Sequence, residues 1–258
     1  MRRWRRRLQA WSIPLGTVVV LIIVWQLAVN FLDVRSFILP SPGEVLDGFA
    51  DVRDTLPRHT WATLRATLVG YFVSIVIGVP LAVAIVYSPF LEKSIYPLLV
   101  GMQAVPKVAI APIAVIWFGF GLMPKVVIVF LVAFFPIVIS TASGLKSTPP
   151  EYMEMIRSFE ATPLQVFRRV RFPAALPSLF VGLKIAISLA VIGAVIGEFV
   201  GATEGLGYLI SISRGNVRTD IAFAAIIVLG VLSVVLYYIL VALERWVVPW
   251  GEQRVQPM

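Results

Sequence analysis

The sequence has no cysteine and a single histidine, His59. Without cysteine there is no disulfide framework, no thiolate nucleophile and no cysteine-ligated metal. One histidine cannot assemble a metal cluster by itself. Charge is scarce: Asp, Glu, Lys and Arg make up 14% of the 258 residues, while 59% are hydrophobic. A phosphate-binding loop is also missing. The nearest approach, Gly144-Leu145-Lys146-Ser147, has no glycine directly before its lysine, so the chain has no backbone cradle for a nucleotide of its own. It contains no H-E-x-x-H helix, no G-x-S-x-G elbow and no helix with paired carboxylates. An integral-membrane enzyme would need a catalytic constellation near an interface, and none shows.

Long apolar runs fill the space instead. Mean hydropathy is +0.91, far more than a soluble domain of this size needs. The runs are continuous rather than alternating, which predicts membrane helices and not barrel strands. The reading is an all-α polytopic membrane protein with about six spans, near residues 14–32, 61–87, 95–118, 125–143, 177–200 and 221–243. A basic segment 1–13 precedes this single domain (14–250), and a tail 251–258 follows it. Arg2, Arg3, Arg5, Arg6 and Arg7 abut the first apolar run. That run is long for a signal peptide and lacks a small-x-small cleavage site, so a retained helix is expected. A nucleic-acid arm is a weaker reading of the same arginines.

The net charge of +8 follows from topology. Segments 1–13, 88–94, 144–175 and 244–258 hold 13 Lys or Arg against 6 acids. Segments 33–60, 119–125 and 198–220 hold 6 against 8. Short loops rich in Lys and Arg stay in the cytoplasm, so both termini are expected inside, in a cytoplasmic membrane.

Along the chain, Ile38-Leu39-Pro40-Ser41-Pro42 reads as an extended turn. Residues 43–56 read as an amphipathic acidic helix, a solvated connector at the outer surface. Arg65 and Lys184 fall near span ends and are expected to snorkel. The third span is interrupted by Pro97, Pro106 and Pro112, and each frees carbonyls that need partners. Lys107 and Gln103 lie in that stretch. Lys107 is a pathway candidate because an ionisable group at membrane depth is functional by default; capping freed carbonyls or pairing with an acid is an equal reading. Ser178, Gly182, Ala186, Ala190 and Ala194 form one row of small residues, and Gly193, Gly197 and Gly201 another. They predict a central helix closely packed on other helices or a second subunit. A glycine-rich outer segment follows from Glu198 to Leu209. Glu198 is read there as a gate residue or as an interfacial charge.

The stretch Glu151–Pro177 organises the second half of the chain. It is a basic polar interruption with apolar anchors at Ile156, Phe159, Pro163, Phe167 and Val170, a helix able to offer an apolar face to a partner. It resembles the cytoplasmic loop of ABC importer permeases, whose pattern is Glu-Ala-Ala, three residues, Gly, nine residues, Ile-x-Leu-Pro. Aligned back from Phe172-Pro173, the motif Glu is Glu154, its alanines are Met155 and Ile156, and its Gly falls on Glu160. The Pro end matches through Val170, Phe172, Pro173, Ala174, Ala175, Leu176 and Pro177. Val105-Pro106-Lys107-Val108-Ala109-Ile110-Ala111-Pro112, Ile116-Trp117-Phe118-Gly119, Gly197-Glu198-Phe199 and Gly205-Leu206-Gly207-Tyr208-Leu209 are similar to the nitrate/sulfonate/taurine branch of that family.

The resemblance implies a type I importer permease fold and a coupling loop over 144–175. It implies a permease dimer, separate ATPase subunits that hold the ATP, and an extracytoplasmic solute-binding protein. No cofactor is implied for this chain. Glu154, Arg157, Ala161, Thr162, Leu164 and Phe167 are the residues implied to contact the ATPase. Gln103, Lys107 and Glu198 are the pathway or gate candidates. The substrates implied are small anions such as sulfonates or nitrate, pyrimidine-type vitamin precursors, or riboflavin. The rival is an ion-gradient-driven secondary transporter, which would need its own coupling-ion site and often internal repeats; no convincing repeat is present.

Overall fold

A computed structural model describes residues 2–250, with the side chains of residues 2–15, 150 and 157 outside that description. The basic segment 1–13 therefore carries no side-chain account, and the tail 251–258 lies outside the described residues. All regular structure among the described residues is helical.

Helix α1 spans Arg2–Phe31, and its apolar stretch Gly16–Phe31 is shorter than the other membrane-length helices. A short acidic helix, α2 (Pro42–Val52), begins at Ser41. Ser41 Oγ accepts from the Glu44 backbone N–H, and Glu44 Oε2 accepts from the Ser41 N–H at 2.6 Å. This capping box satisfies donors that a helix start leaves orphaned. The sequence reading made α2 a solvated connector, and the structure corrects this. Val45, Gly48 and Val52 are buried, and Gly48 lets α2 approach the backbone at Asp220 and Ile221 closely enough that a Cβ would sit 2.8 Å from the Asp220 carbonyl carbon.

Three long helices form the core: α3 (Leu56–Tyr87), α6 (Leu122–Lys146) and α9 (Phe172–Gly201). The sixth expected span is α11 (Thr219–Val247). Each of the four is long and apolar enough to cross a membrane. Helix α9 packs on α6 through its small residues. A Cβ on Gly182 would meet the Ser140 side chain at 2.5 Å, and one on Gly193 would lie 3.0 Å from the Val129 Cα. Ala186, Ala190 and Ala194 are fully buried beside them. The expected close approach is thus made to a helix of the same chain. Buried hydroxyls on these helices return to their own backbone, as in Thr67 to the Thr63 carbonyl, Ser74 to that of Gly70 and Thr141 to that of Ile137. This satisfies groups that lipid cannot. Between helices, Tyr71 donates to the Leu183 carbonyl at 3.0 Å.

The third expected span is not one helix. Helices α4 (Pro89–Gln103) and α5 (Lys107–Phe118) meet at 98°. Pro106 cannot donate a backbone N–H and biases Val105 away from helix, so the ladder ends there. Lys184 also departs from expectation: its Nζ lies 2.7 Å from the Glu244 carboxylate, joining α9 to α11 in place of snorkelling. From the glycine-rich outer segment onward, residues Leu206–Gly215 form a further helix, α10.

Candidate functional site

Three places collect the candidate side chains. The first is the polar segment between α6 and α9. Helix α7 spans Pro150–Ser158, with Glu151 in its first turn, where an acid complements the helix dipole. The chain then reverses at Glu160, whose φ is +54°. The motif glycine thus maps onto a residue in the left-handed region that favours glycine. Thr162 caps the next turn, α8 (Pro163–Val166): its hydroxyl accepts from the Gln165 N–H, and Gln165 Oε1 accepts from the Thr162 N–H at 2.8 Å. A five-residue π-turn, Phe167–Arg171, leads directly into α9.

This segment is anchored to the end of α3, and the helix before it, α6, to α4. The Phe167 ring lies 6.0 Å from Tyr87 and 5.7 Å from Phe172. The Arg171 guanidinium sits 5.3 Å from the centre of the Tyr87 ring, within cation–π range. Lys146 pairs with Glu92 at 2.5 Å. Phe167, expected on the partner-facing side, is therefore half-buried inside the chain. Glu154, Thr162 and Leu164 are exposed and Ala161 is half-exposed; Arg157 has no described side chain. The outward apolar row is Tyr152, Met155 and Phe159, continued by Leu164. The expected anchors Ile156, Phe159 and Pro163 were one continuous helical row. The helix ends at Ser158, so spacing beyond it no longer predicts a face. Within the helix Tyr152 and Met155, three apart, mark the outward face, and of the expected anchors Phe159 is exposed beside them while Ile156 is half-buried.

The second place is the elbow between α4 and α5. Lys107 Nζ donates to the Gln103 carbonyl at 2.5 Å and lies 5.6 Å from the centre of the Phe135 ring. Lys107 caps a carbonyl freed by the break, as one of the two sequence readings had it. The Gln103 side chain and its neighbours Met102, Val105 and Val108 are exposed.

The third place is a buried polar cluster at the opposite end of the bundle. Glu198 is 1% exposed, which removes the reading of an interfacial charge. Its oxygens accept from Thr63 Oγ1 at 2.9 and 3.0 Å and from the Gly207 N–H at 2.8 Å. Lys125 Nζ lies 3.7 Å from the Glu198 carboxylate and donates to the Glu204 carbonyl at 2.7 Å. Thr63 Oγ1 also accepts from the Leu206 N–H at 2.8 Å, and His59 Nδ1 accepts from the Gly205 N–H at 3.1 Å. Three orphan N–H groups at the start of α10 are thus satisfied by side chains of α3 and α9. Gly205 is required twice over: its φ is +130°, and a Cβ there would collide with the Glu198 carboxylate. Outside the spans, Glu204 is held below the ordinary carboxylate range, first by the hydrogen bond that Arg58 donates to it. Thr63 and Lys125 were not among the expected site residues; no spacing rule links positions 63, 125 and 198. The cluster does not bring Glu198 together with Gln103 and Lys107. Among the described residues, no group of acids and histidines could hold a metal.

The uninterrupted helices, the broken α4–α5 pair and the capped polar loop coincide with a family match. The model of the binding-protein-dependent transport system inner membrane component covers residues 74–249. The chain belongs to this family of permeases. A riboflavin transport system permease from Chloroflexus aurantiacus is 39% identical over 236 residues, covering 91% of this chain and 88% of the relative. A formylaminopyrimidine transport permease from Halalkalibacterium halodurans is 36% identical over 236 residues, covering 91% and 94%. Other relatives are taurine, aliphatic sulfonate and nitrate permeases. Among solved structures, the MetNI methionine ABC transporter in inward-facing form matches with a TM-score of 0.63 at 24% identity, covering 81% of this chain and 98% of that one. It shares the fold of this permease. The expected family and importer fold are borne out, and the ion-gradient rival falls away.

Proposed function

We propose that this permease works as a dimer, with ATPase subunits docked on the loop 147–171 and a solute-binding protein at the opposite face. One observation carries the reading: the exposed apolar row Tyr152, Met155, Phe159 and Leu164 sits on a capped loop continuous with α9. An amphipathic helix whose apolar face has no intrachain cover suits a groove on a partner. Displacement of that loop passes straight into α9 and, through the glycine contacts, into α6. The loop end is then cytoplasmic and both termini lie inside. Hydrolysis of ATP belongs to the partner, because the chain has no phosphate cradle.

The solute path runs past the elbow, where Gln103 and Lys107 present a polar group and a cation on an apolar wall. Glu198 acts from inside the bundle, by fixing α10. A single cation suits a sulfonate- or nitrate-type anion, and the riboflavin and formylaminopyrimidine relatives support a heteroaromatic solute by the same route. The deciding experiment is co-purification of the tagged chain with a candidate ATPase, followed by its ATP hydrolysis. Phe159→Asp and Leu164→Asp are expected to release the ATPase at least tenfold more readily, the scale of a lost interface anchor, with Glu154→Ala weaker. Retention of the ATPase by both Asp variants would refute the loop as its dock.

A further inference from the structure

Beside the buried cluster, a cavity of about 230 Å³ opens between α3, the start of α6 and the α9–α10 turn. Arg58, Trp61, Arg65, Lys125 and Glu204 line it. We propose that it binds the phosphate oxyanion of a membrane phospholipid, in the leaflet at this end of the bundle.

The charges in the cavity are not equal in their commitments. Lys125 is 6% exposed and is held by Glu198 and the Glu204 carbonyl. Arg58 is paired with Glu204. Arg65 is exposed and makes no hydrogen bond or ion pair among the described residues. It sits nine residues into a 32-residue apolar helix, where an uncompensated charge is costly unless something polar meets it. A phosphate oxyanion is the group a free guanidinium fork fits best.

Trp61 and the helix below choose the carrier of that phosphate. Arg58, Trp61 and Arg65 are spaced three, four and seven apart, so they share one face of α3. From Arg58 to Arg65 the rise is about 10 Å, so the lower arginine lies within reach of a headgroup layer while the upper one stays in water. Trp61 is exposed between them, and an exposed indole at that level suits the membrane interface. Directly below, Leu68, Val69, Phe72 and Val76 are all exposed. They continue the face as an apolar strip for an acyl chain. A free inorganic or organic anion would use Arg65 but would leave Trp61 and the strip without a role.

The test is native mass spectrometry of the full-length chain in detergent, titrated with phosphatidylglycerol. Wild type is compared with Arg65→Gln, Trp61→Ala and a control, Arg53→Gln, which alters an exposed arginine outside the cavity. Arg65→Gln is expected to lower the lipid-bound fraction about fivefold, the scale of one arginine at a charged membrane surface, and the control to leave it unchanged. Millimolar inorganic phosphate is expected not to displace the lipid; displacement would assign the site to a free anion and overturn the lipid. Equal lipid retention by wild type and Arg65→Gln would reduce Arg65 to a snorkelling charge and overturn the site. If Arg65→Gln does not purify, Trp61→Ala keeps every charge and is expected to shorten lipid retention; unchanged retention overturns the proposal.

Discussion

Lys125 Nζ stands 3.7 Å from Oε1 of Glu198, and the two side chains are 8% and 0% exposed. Two helices that start and end at the same level of the bundle are joined there by opposite charges away from water. Such a pair is held by its surrounding hydrogen bonds as much as by its own attraction.

Removal of one partner alone is therefore costly. Glu198→Ala or Lys125→Ala alone is expected to cost about 3 kcal/mol, because each leaves a buried charge alone. The double variant is expected to lose less than the sum. Thermal unfolding of the four proteins in detergent gives the coupling, and additive losses would show that the pair is not coupled.

Gly205→Ala places a methyl group against the Glu198 carboxylate at a backbone angle that favours glycine. A loss of about 2 kcal/mol is expected from backbone strain alone, with α10 loosened before the core. Hydrogen exchange should rise over 206–215 and stay unchanged over 126–138. Uniform protection in the variant would refute this account of the turn.

Glu204 titrates below its ordinary value of 4.5 because Arg58 hydrogen-bonds it, with the Arg58 charge adding and desolvation opposing. A lowered folded value means that the contribution is complete above about pH 4.5 and is lost as the pH falls through the folded value. Exchange over 202–210, corrected for its intrinsic pH dependence, should increase in acid for wild type. Glu204→Gln should already be loose at pH 7 and change little, and identical profiles would remove Glu204 from the turn.

Lys107→Met deletes the elbow cation and leaves the Gln103 carbonyl uncapped. Uptake by the assembled transporter is expected to fall about tenfold, and Lys107→Arg, which keeps both charge and donors, should restore part of it. ATP hydrolysis without solute should stay near wild type. Full uptake by Lys107→Met would take the elbow off the path.

Phe167→Asp and Leu164→Asp separate a packed anchor from an exposed loop position. Phe167 packs on Tyr87 and Phe172, so an aspartate there should lower the melting temperature of the isolated chain. Leu164 is exposed, and its change should stay within about 0.5 kcal/mol. Equal melting temperatures would mean that Phe167 does not hold the loop.

Length and hydropathy made the four long helices legible, because a span must be apolar over its whole length. The prolines around Lys107 signalled a break but not its angle, which depends on what the freed ends pack against. The loop was visible through its charge and its Pro-rich end. Of its expected anchors Phe159 faces outward while Ile156 and Phe167 are half-buried, since the left-handed turn at Glu160 hides behind a residue type that seldom adopts it. The buried cluster was the least legible part. Thr63 sits in an apolar run and Lys125 at the start of one, and only the fold brings them to Glu198. Lys184 was read as snorkelling for the same reason: its partner Glu244 is sixty residues away.

The π-turn at Phe167–Arg171 acts as a phase shifter. It carries one residue more than an α-helical turn, so everything before it is rotated about 100° from where an unbroken α9 would present it. The glycine contacts with α6 set the azimuth of the membrane part, and the π-turn sets that of the loop independently. The gain or loss of a single residue there would re-aim the exposed row Tyr152, Met155 and Phe159 while leaving the glycine contacts between α9 and α6 as they are.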